Sequence, residues 1–287
     1  MKPYNFEHVI PNTIDEAVQL LRDCSGEAKL ISGGQSLMPV LNFRLAKPDL
    51  LIDLKKLDHL KVIECTNTGT VLGSRVRWID IEKNNDLTHH QPLLQKALSY
   101  VAHYQIRNRG TLGGSLANSD PAAELPLIAL VLEATIKVVG PKGVRSINVN
   151  DFFTGFMSTS IAKDEIISEI FVPAWPATRR WGFEEFSRRK GDFAIAACAL
   201  WYDLNSKDEI QNIHVGVIGA NDYPVRLSKL EKILEHKVLT SDLLETAIET
   251  GLKDLNPPLD PQISQEYRLS LIATMIRRAF DQSMLGQ

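Results

Sequence analysis

Cysteine is scarce in this chain of 287 residues: Cys24, Cys65 and Cys198 are all there is. They are far apart and odd in number, and no C-x-x-C pair occurs. A disulfide framework, a zinc ribbon or an iron–sulfur cluster therefore cannot be built from this chain alone. Each thiol also reads simply as a small core or surface residue. Charge of one sign is missing too. Lys plus Arg total 32 against 35 for Asp plus Glu, a formal net charge of −3. With no basic surplus to neutralise phosphates, nucleic acid is not the expected partner. The longest apolar stretches, such as 127–132, stop well short of the ~20 residues that a membrane span needs. Residues 1–5 lack an apolar signal core, so a cytoplasmic location is expected. What is present suits a globular protein. Hydrophobic residues make up 44%, enough for a real core, and the length suggests about two domains.

The first helix is signalled by Thr13-Ile14-Asp15-Glu16, a capping box followed by Ala17, Val18 and Leu21 at helical spacing. Residues 29–32 read as a short buried strand that runs straight into Gly33-Gly34-Gln35-Ser36. Residues 50–54 read as a second strand. From about residue 60 the pattern changes. Stretches 61–65 and 70–73 flank Asn67-Thr68-Gly69 as a hairpin, and 92–102 reads as a helix. A polar, glycine-rich loop follows, Arg107-Asn108-Arg109-Gly110-Thr111-Leu112-Gly113-Gly114-Ser115. Further strands are expected at 134–139, 145–149 and 165–172. Pro173-Ala174-Trp175-Pro176 breaks the strand pattern and marks the best boundary. Three strands (181–188, 194–204 and 210–218) and three helices (227–234, 241–252 and 264–284) complete the chain. The expected domains are 1–175, with subdomains of about 1–55 and 56–175, and 176–287. The fold class is α+β, ending in a three-stranded antiparallel sheet with a helical layer.

Two double-glycine segments are the main candidates for chemistry. Glycine lets a ligand approach the main chain, and successive amides can then form a concave anion site. Two such segments, each with hydroxyl side chains beside it, suit the two phosphates of a dinucleotide. Either alone is also an ordinary tight turn. Neither fits G-x-G-x-x-G, and no G-x-x-x-x-G-K-[ST] occurs, so neither a Rossmann fold nor a P-loop NTPase is indicated. Gly34-Gln35-Ser36-Leu37-Met38 is no nucleophile elbow, because Met38 stands where glycine is required. His89, His90 and His103 have no metal-ligand spacing, and no metal site is expected. Asp120 can cap a helix starting at Pro121, or it can accept, with Glu124, from ligand hydroxyls. Arg107 and Arg109 can balance phosphate charge or stay solvated. Arg188-Arg189-Lys190-Gly191-Asp192-Phe193 is either a solvated hairpin tip or a contact to a cofactor across a cleft. No acid–base pair or nucleophile stands out, and no catalytic residue is assigned.

Four segments together resemble the FAD-binding medium subunit of molybdenum hydroxylases. They are Ser32-Gly33-Gly34-Gln35-Ser36-Leu37, the run from Ile106 to Ser115, Asp120-Pro121-Ala122-Ala123-Glu124-Leu125-Pro126 and Arg189-Lys190-Gly191-Asp192-Phe193-Ala194. Tyr267-Arg268 and Arg277-Arg278-Ala279 agree with them, so the resemblance runs over essentially the whole chain. It implies a vanillyl-alcohol-oxidase-type FAD-binding domain followed by a smaller C-terminal domain. It places Ser32, Gly33, Gly34, Gln35 and Ser36, and Thr111, Leu112, Gly113, Gly114 and Ser115, on the pyrophosphate. It places Asp120 and Glu124 near ribityl or ribose hydroxyls and Ile167 near the adenine. Lys190, Asp192 and Phe193 would approach the isoalloxazine. Some relatives carry His where this chain has Gln35, so no covalent flavin link is expected there.

The resemblance also implies partners. A large subunit would hold the molybdenum cofactor and oxidise the organic substrate. A small subunit would hold two [2Fe–2S] clusters, and the whole would form a dimer of heterotrimers. Electrons would pass from the clusters to FAD and on to NAD⁺, a quinone, a carrier or dioxygen. The scarcity of cysteine agrees with clusters held on another chain. The rivals are a free-standing flavin oxidoreductase of the same fold and a non-enzymatic nucleotide-binding module.

Overall fold

The computed structural model describes residues 2–285. The chain opens with β1 (Glu7–Val9), α1 (Ile14–Asp23), β2 (Ala28–Ile31), α2 (Leu37–Asn42) and β3 (Leu50–Asp53). The three strands form a parallel sheet in the order β1-β3-β2. The Thr13 side chain caps α1 by accepting from the Glu16 amide, and Glu16 reaches back to the Asn12 amide at 2.7 Å. Ala17 and Val18 of α1 then pack on Leu50 and Ile52.

The middle of the chain holds β4 (Ile63–Thr66), β5 (Gly69–Gly73), α3 (Trp78–Glu82), α4 (Asn85–His90), α5 (Pro92–Leu98), α6 (Tyr104–Arg107), α7 (Leu112–Asn118) and α8 (Glu124–Val131). Next come β6 (Thr135–Gly140), β7 (Gly143–Asn148), β8 (Phe153–Gly155), β9 (Ser158–Thr159) and β10 (Ile166–Pro173). Five of these strands make an antiparallel sheet in the order β4-β5-β10-β6-β7. Beyond Glu124, helix α8 is apolar all round, and every one of its residues is buried. A helix without a polar face belongs between two layers.

The second of those layers is the C-terminal sheet, built from β11 (Arg180–Phe186), β12 (Ala196–Leu204), β13 (Ile210–Ile218) and β14 (Val225–Arg226). Its order is β11-β12-β13-β14, so the sheet has four strands where three were expected. The extra strand has two residues, too few to show an alternating pattern. Helices α9 (Ser228–Leu234), α10 (Ser241–Leu252) and α11 (Gln265–Met284) cover one face. Strand β12 is buried on both sides. Ala196, Cys198, Leu200 and Tyr202 face α11, while Ala197, Ala199 and Trp201 join the core around α8 and α5. Burial pushes the Cys198 thiol up, which keeps it un-ionised and inert.

Trp201 ties the two layers together. Its indole N–H donates to the Val131 carbonyl of α8 at 2.7 Å. The Arg179 guanidinium lies 3.5 Å over the ring, and His214 stacks at 4.0 Å between ring centroids. Among the described residues no helix is long and apolar enough to cross a membrane.

Candidate functional site

Ser32 to Ser36 lie directly past the carboxyl end of β2, and α2 starts at Leu37. In an open sheet with parallel strands, the carboxyl ends are where ligands bind. Gly34 has φ +72°, a left-handed conformation that favours glycine. The amides of Gly33, Gly34, Gln35, Ser36 and Leu37 have no acceptor among the described residues. The Gln35 side-chain amide donates to the Gly33 carbonyl at 2.9 Å, which holds the turn. A cavity of 680 Å³ lined by Glu7, Glu16, Asp23 and Asp49 opens at the other, amino end of this sheet. Its acidic wall is unsuited to phosphate.

The second glycine segment is a helix start and not a loop. Thr111 is the N-cap of α7, and its side chain accepts from the Gly114 amide at 3.3 Å. The Leu112 and Gly113 amides donate to the carbonyls of Val76 and Ser74 at 3.0 and 2.8 Å. These two amides are thus taken, and a concave nest of free amides does not exist here. Gly113 is required by packing, because a Cβ would lie 2.5 Å from Ser74 Cβ. Gly114 differs. It is exposed, and a Cβ there would meet only Thr111 Oγ1, so the space over it is open.

The fold brings the two segments into contact. The Thr111 hydroxyl donates to Ser32 Oγ at 3.2 Å, which leaves the Ser32 proton free to donate outward. A Cβ on Gly33 would sit 2.2 Å from the Arg109 carbonyl oxygen. Gly33→Ala is therefore expected to cost about 1–3 kcal/mol through overpacking. Thermal melts check this, and an unchanged midpoint would show that the segments can part freely.

Asp120 does not start a helix at Pro121. Its carboxylate accepts from the Ala122 amide at 2.9 Å, and its carbonyl accepts from the Ala123 amide. This turn uses Asp120 locally, and α8 begins at Glu124 with Ala123 as N-cap. Glu124 is 8% exposed. Burial first, with Asp120 nearby, pushes its carboxyl up to about 7. The folded chain thus holds this proton more tightly than the unfolded chain, whose ordinary value is 4.5. Stability from this group is full below about pH 4.5 and falls as pH rises toward about 7. Glu124→Gln is expected to stabilise the chain by on the order of 1–3 kcal/mol near pH 8 and by little near pH 4.5. Urea denaturation at the two pH values checks the sign, and an equal effect at both would refute it.

The remaining expected residues are spread out. Ile167 is 6% exposed and packs in the central core. Lys190, Asp192 and Phe193 sit on the exposed tip between β11 and β12, with Phe193 at 65% exposure. The tip is anchored on the middle layer: the Ala194 amide donates to the Ala122 carbonyl at 3.3 Å, and Gly191 lies against the Ala102 carbonyl and the His103 ring. Arg107 pairs with Glu82 and donates to the carbonyls of Val101 and Ala102, so it braces the turn between α5 and α6 and is not free for phosphate. Arg109 is exposed. Sequence reasoning missed Glu185. Both its carboxylate oxygens are buried without a partner, and burial, then the charge of Glu124, pushes it up to about 8. Two adjacent glutamates in a strand face opposite ways, so Glu184-Glu185 was a readable sign that one points inward.

The donor set suits a diphosphate: five unpaired amides, a free Ser32 hydroxyl proton and the open face of Gly114. Comparison with known proteins agrees. Residues 4–175 match the model of the FAD-binding domain in molybdopterin dehydrogenase, and residues 181–283 match the CO dehydrogenase flavoprotein C-terminal domain. The chain belongs to the FAD-binding medium subunits of molybdenum hydroxylases. The nicotine 6-hydroxylase medium subunit of Paenarthrobacter nicotinovorans is 37% identical over 97% of both chains. A solved carbon monoxide dehydrogenase from Hydrogenophaga pseudoflava superposes with a TM-score of 0.95 at 30% identity, covering 99% of this chain and 98% of the other. Quinoline 2-oxidoreductase from Pseudomonas putida 86 gives 0.93 at 32% identity, covering 99% and 98%. As a medium subunit the chain carries FAD and serves electron transfer in an oxidoreductase.

Proposed function

We propose that the diphosphate of FAD lies between the two glycine segments. The amides of residues 33–37, the Ser32 hydroxyl and the hydroxyls of Ser36 and Ser115 would donate to its oxygens. Gln35 would hold the first turn, while Thr111, Leu112 and Gly113 set the second. Gly114 leaves the room. Asp120 and Glu124 would face ribityl or ribose hydroxyls, and Ile167 would back the adenine. Lys190, Asp192 and Phe193 would approach the isoalloxazine from the C-terminal half. In this division residues 1–175 form the flavin-binding domain, and 176–287 form a domain that closes over it. The observation that carries the reading is the row of five unpaired amides at the carboxyl end of a parallel sheet.

Bound FAD supplies the exchange between one-electron and two-electron carriers. The protein supplies binding, orientation and electrostatics. Substrate oxidation takes place on a large subunit that holds the molybdenum cofactor. Two [2Fe–2S] clusters on a small subunit deliver the electrons to this chain. The assembly is a dimer of heterotrimers. Among the described residues no group of three or more His, Cys, Asp or Glu gathers as a metal site.

Purification of the chain expressed with its neighbouring subunits tests this. One FAD per chain and co-purifying molybdenum and iron are the expected result. A chain that stays alone and turns over a substrate unaided would instead be a free-standing flavin enzyme. A chain that takes up no flavin even after FAD is added would be a binding or scaffold module.

A further inference from the structure

Thr111 is expected on the pyrophosphate, yet its hydroxyl has no proton left to give. The residue is 6% exposed. Its side-chain oxygen accepts from the Gly114 amide at 3.3 Å, and its one proton goes to Ser32 Oγ at 3.2 Å. A threonine hydroxyl carries a single donor, so Thr111 cannot also donate to a bound anion. Ser32 stands the other way. It is half-buried, it accepts from Thr111, and its own proton has no acceptor among the described residues.

The two residues also differ in how firmly they are held. Around Thr111 the chain is laced to the segment that follows β5. The Leu112 and Gly113 amides donate to the Val76 and Ser74 carbonyls, the Trp78 amide donates to the Gly110 carbonyl at 3.3 Å, and Arg77 pairs with Thr111 as an isolated bridge. The Arg77 guanidinium donates to the Asn108 carbonyl at 3.3 Å and is gripped by Asp80 at 2.6 and 2.9 Å. The turn after Ser32 has fewer ties, chiefly the Gln35 side chain on the Gly33 carbonyl, the Met38 amide on the Gly34 carbonyl and the bond from Thr111. The fixed partner therefore sets the direction of the looser one. A serine hydroxyl rotates to suit its neighbours. The Thr111 proton bars Ser32 from donating back and turns the Ser32 proton away from Thr111. A hydroxyl that already accepts is also the stronger donor, because chained hydrogen bonds polarise one another.

We propose that Thr111 is a positioning residue that acts on the ligand only through Ser32, as the middle of a hydrogen-bond relay from the Gly114 amide through Thr111 Oγ1 and Ser32 Oγ to one oxygen of the bound diphosphate. The relay rests on the placement of that diphosphate between the two glycine segments. A charged acceptor at the end of such a chain makes a strong hydrogen bond, and a donor aimed beforehand needs little ordering on binding.

Titration of FAD into the flavin-free full chain, read by fluorescence quenching, tests the relay as a double-mutant cycle. Ser32→Ala is expected to weaken FAD binding about tenfold. Thr111→Val keeps the shape but neither accepts nor donates. It is expected to cost about tenfold in the wild-type background and less than about twofold once residue 32 is alanine. Thr111→Ser is expected to keep affinity within about threefold of the wild type. Loss of the cap lowers the melting midpoint of Thr111→Val equally in both backgrounds, so a merely structural role predicts equal affinity losses in the two. Thr111→Ala takes the place of Thr111→Val if the latter does not fold. Phosphorus NMR of bound FAD is a second readout: Ser32→Ala and Thr111→Val should shift the same one of the two diphosphate resonances. Additive losses, unchanged affinity in Ser32→Ala, or shifts of different resonances overturn the relay. Gly114→Leu separates this from failure of the placement itself. Loss of FAD there beside additive single losses overturns the relay alone, whereas full retention of FAD overturns the placement and the relay with it.

Discussion

Gly114→Leu is expected to yield a folded chain that no longer retains FAD. Gly114 sits in the first turn of α7, exposed, with open space over its Cα except for Thr111 Oγ1 at 2.9 Å from a built Cβ. Leucine is a better helix former than glycine by about 0.5–1 kcal/mol, which offsets the disturbance of the Thr111 cap, worth about 1 kcal/mol. Stability should therefore change little. The branched side chain, however, fills the room beside Ser32 and the unpaired amides of residues 33–37. An affinity loss of at least about 100-fold follows, or roughly 2.7 kcal/mol. Quenching of flavin fluorescence on titration into the flavin-free chain reads the affinity, and a thermal melt reads the fold. Unchanged affinity would place the phosphates elsewhere.

Trp201→Ala should have the largest effect on stability. The indole is 5% exposed, clasped between Arg179 and His214, and hydrogen-bonded to Val131. Truncation removes a large buried surface, opens a cavity and leaves the Val131 carbonyl without its donor. The expected loss is about 3–5 kcal/mol. Trp201→Phe keeps most of the volume but not the hydrogen bond, and should lose clearly less. Chemical denaturation of both variants separates packing from bonding. Equal losses would show that the hydrogen bond, and not the ring, holds the layers.

The sequence foretold most local features, because they rest on near neighbours. The Thr13–Glu16 cap, the hairpin around Asn67-Thr68-Gly69 and the three long C-terminal strands all formed as their patterns predict. The failures share a different cause. Gly113 and Gly114 read as a loop because glycine is a poor helix former, yet contact with Ser74 demands a bare Cα inside a helix. Asp120-Pro121 reads as a helix start, but Asp120 spends its acceptors on a turn. Glu185 reads as one more polar strand residue. Its burial comes from layers more than fifty residues away in sequence, which no local pattern records. The convergence of Ser32 with Thr111 is likewise a long-range event, and only the joint presence of both segments hinted at it.

The burial of β12 on both faces has a mechanical consequence. The covalent link around Pro173 and Pro176 is exposed, so a protease can reach it. Cutting there does not release a fragment, since Trp201, Ala197 and Ala199 remain lodged against α8 and α5. The nicked protein should migrate as one particle and melt in one step. Its two pieces would separate only when the shared core itself comes apart.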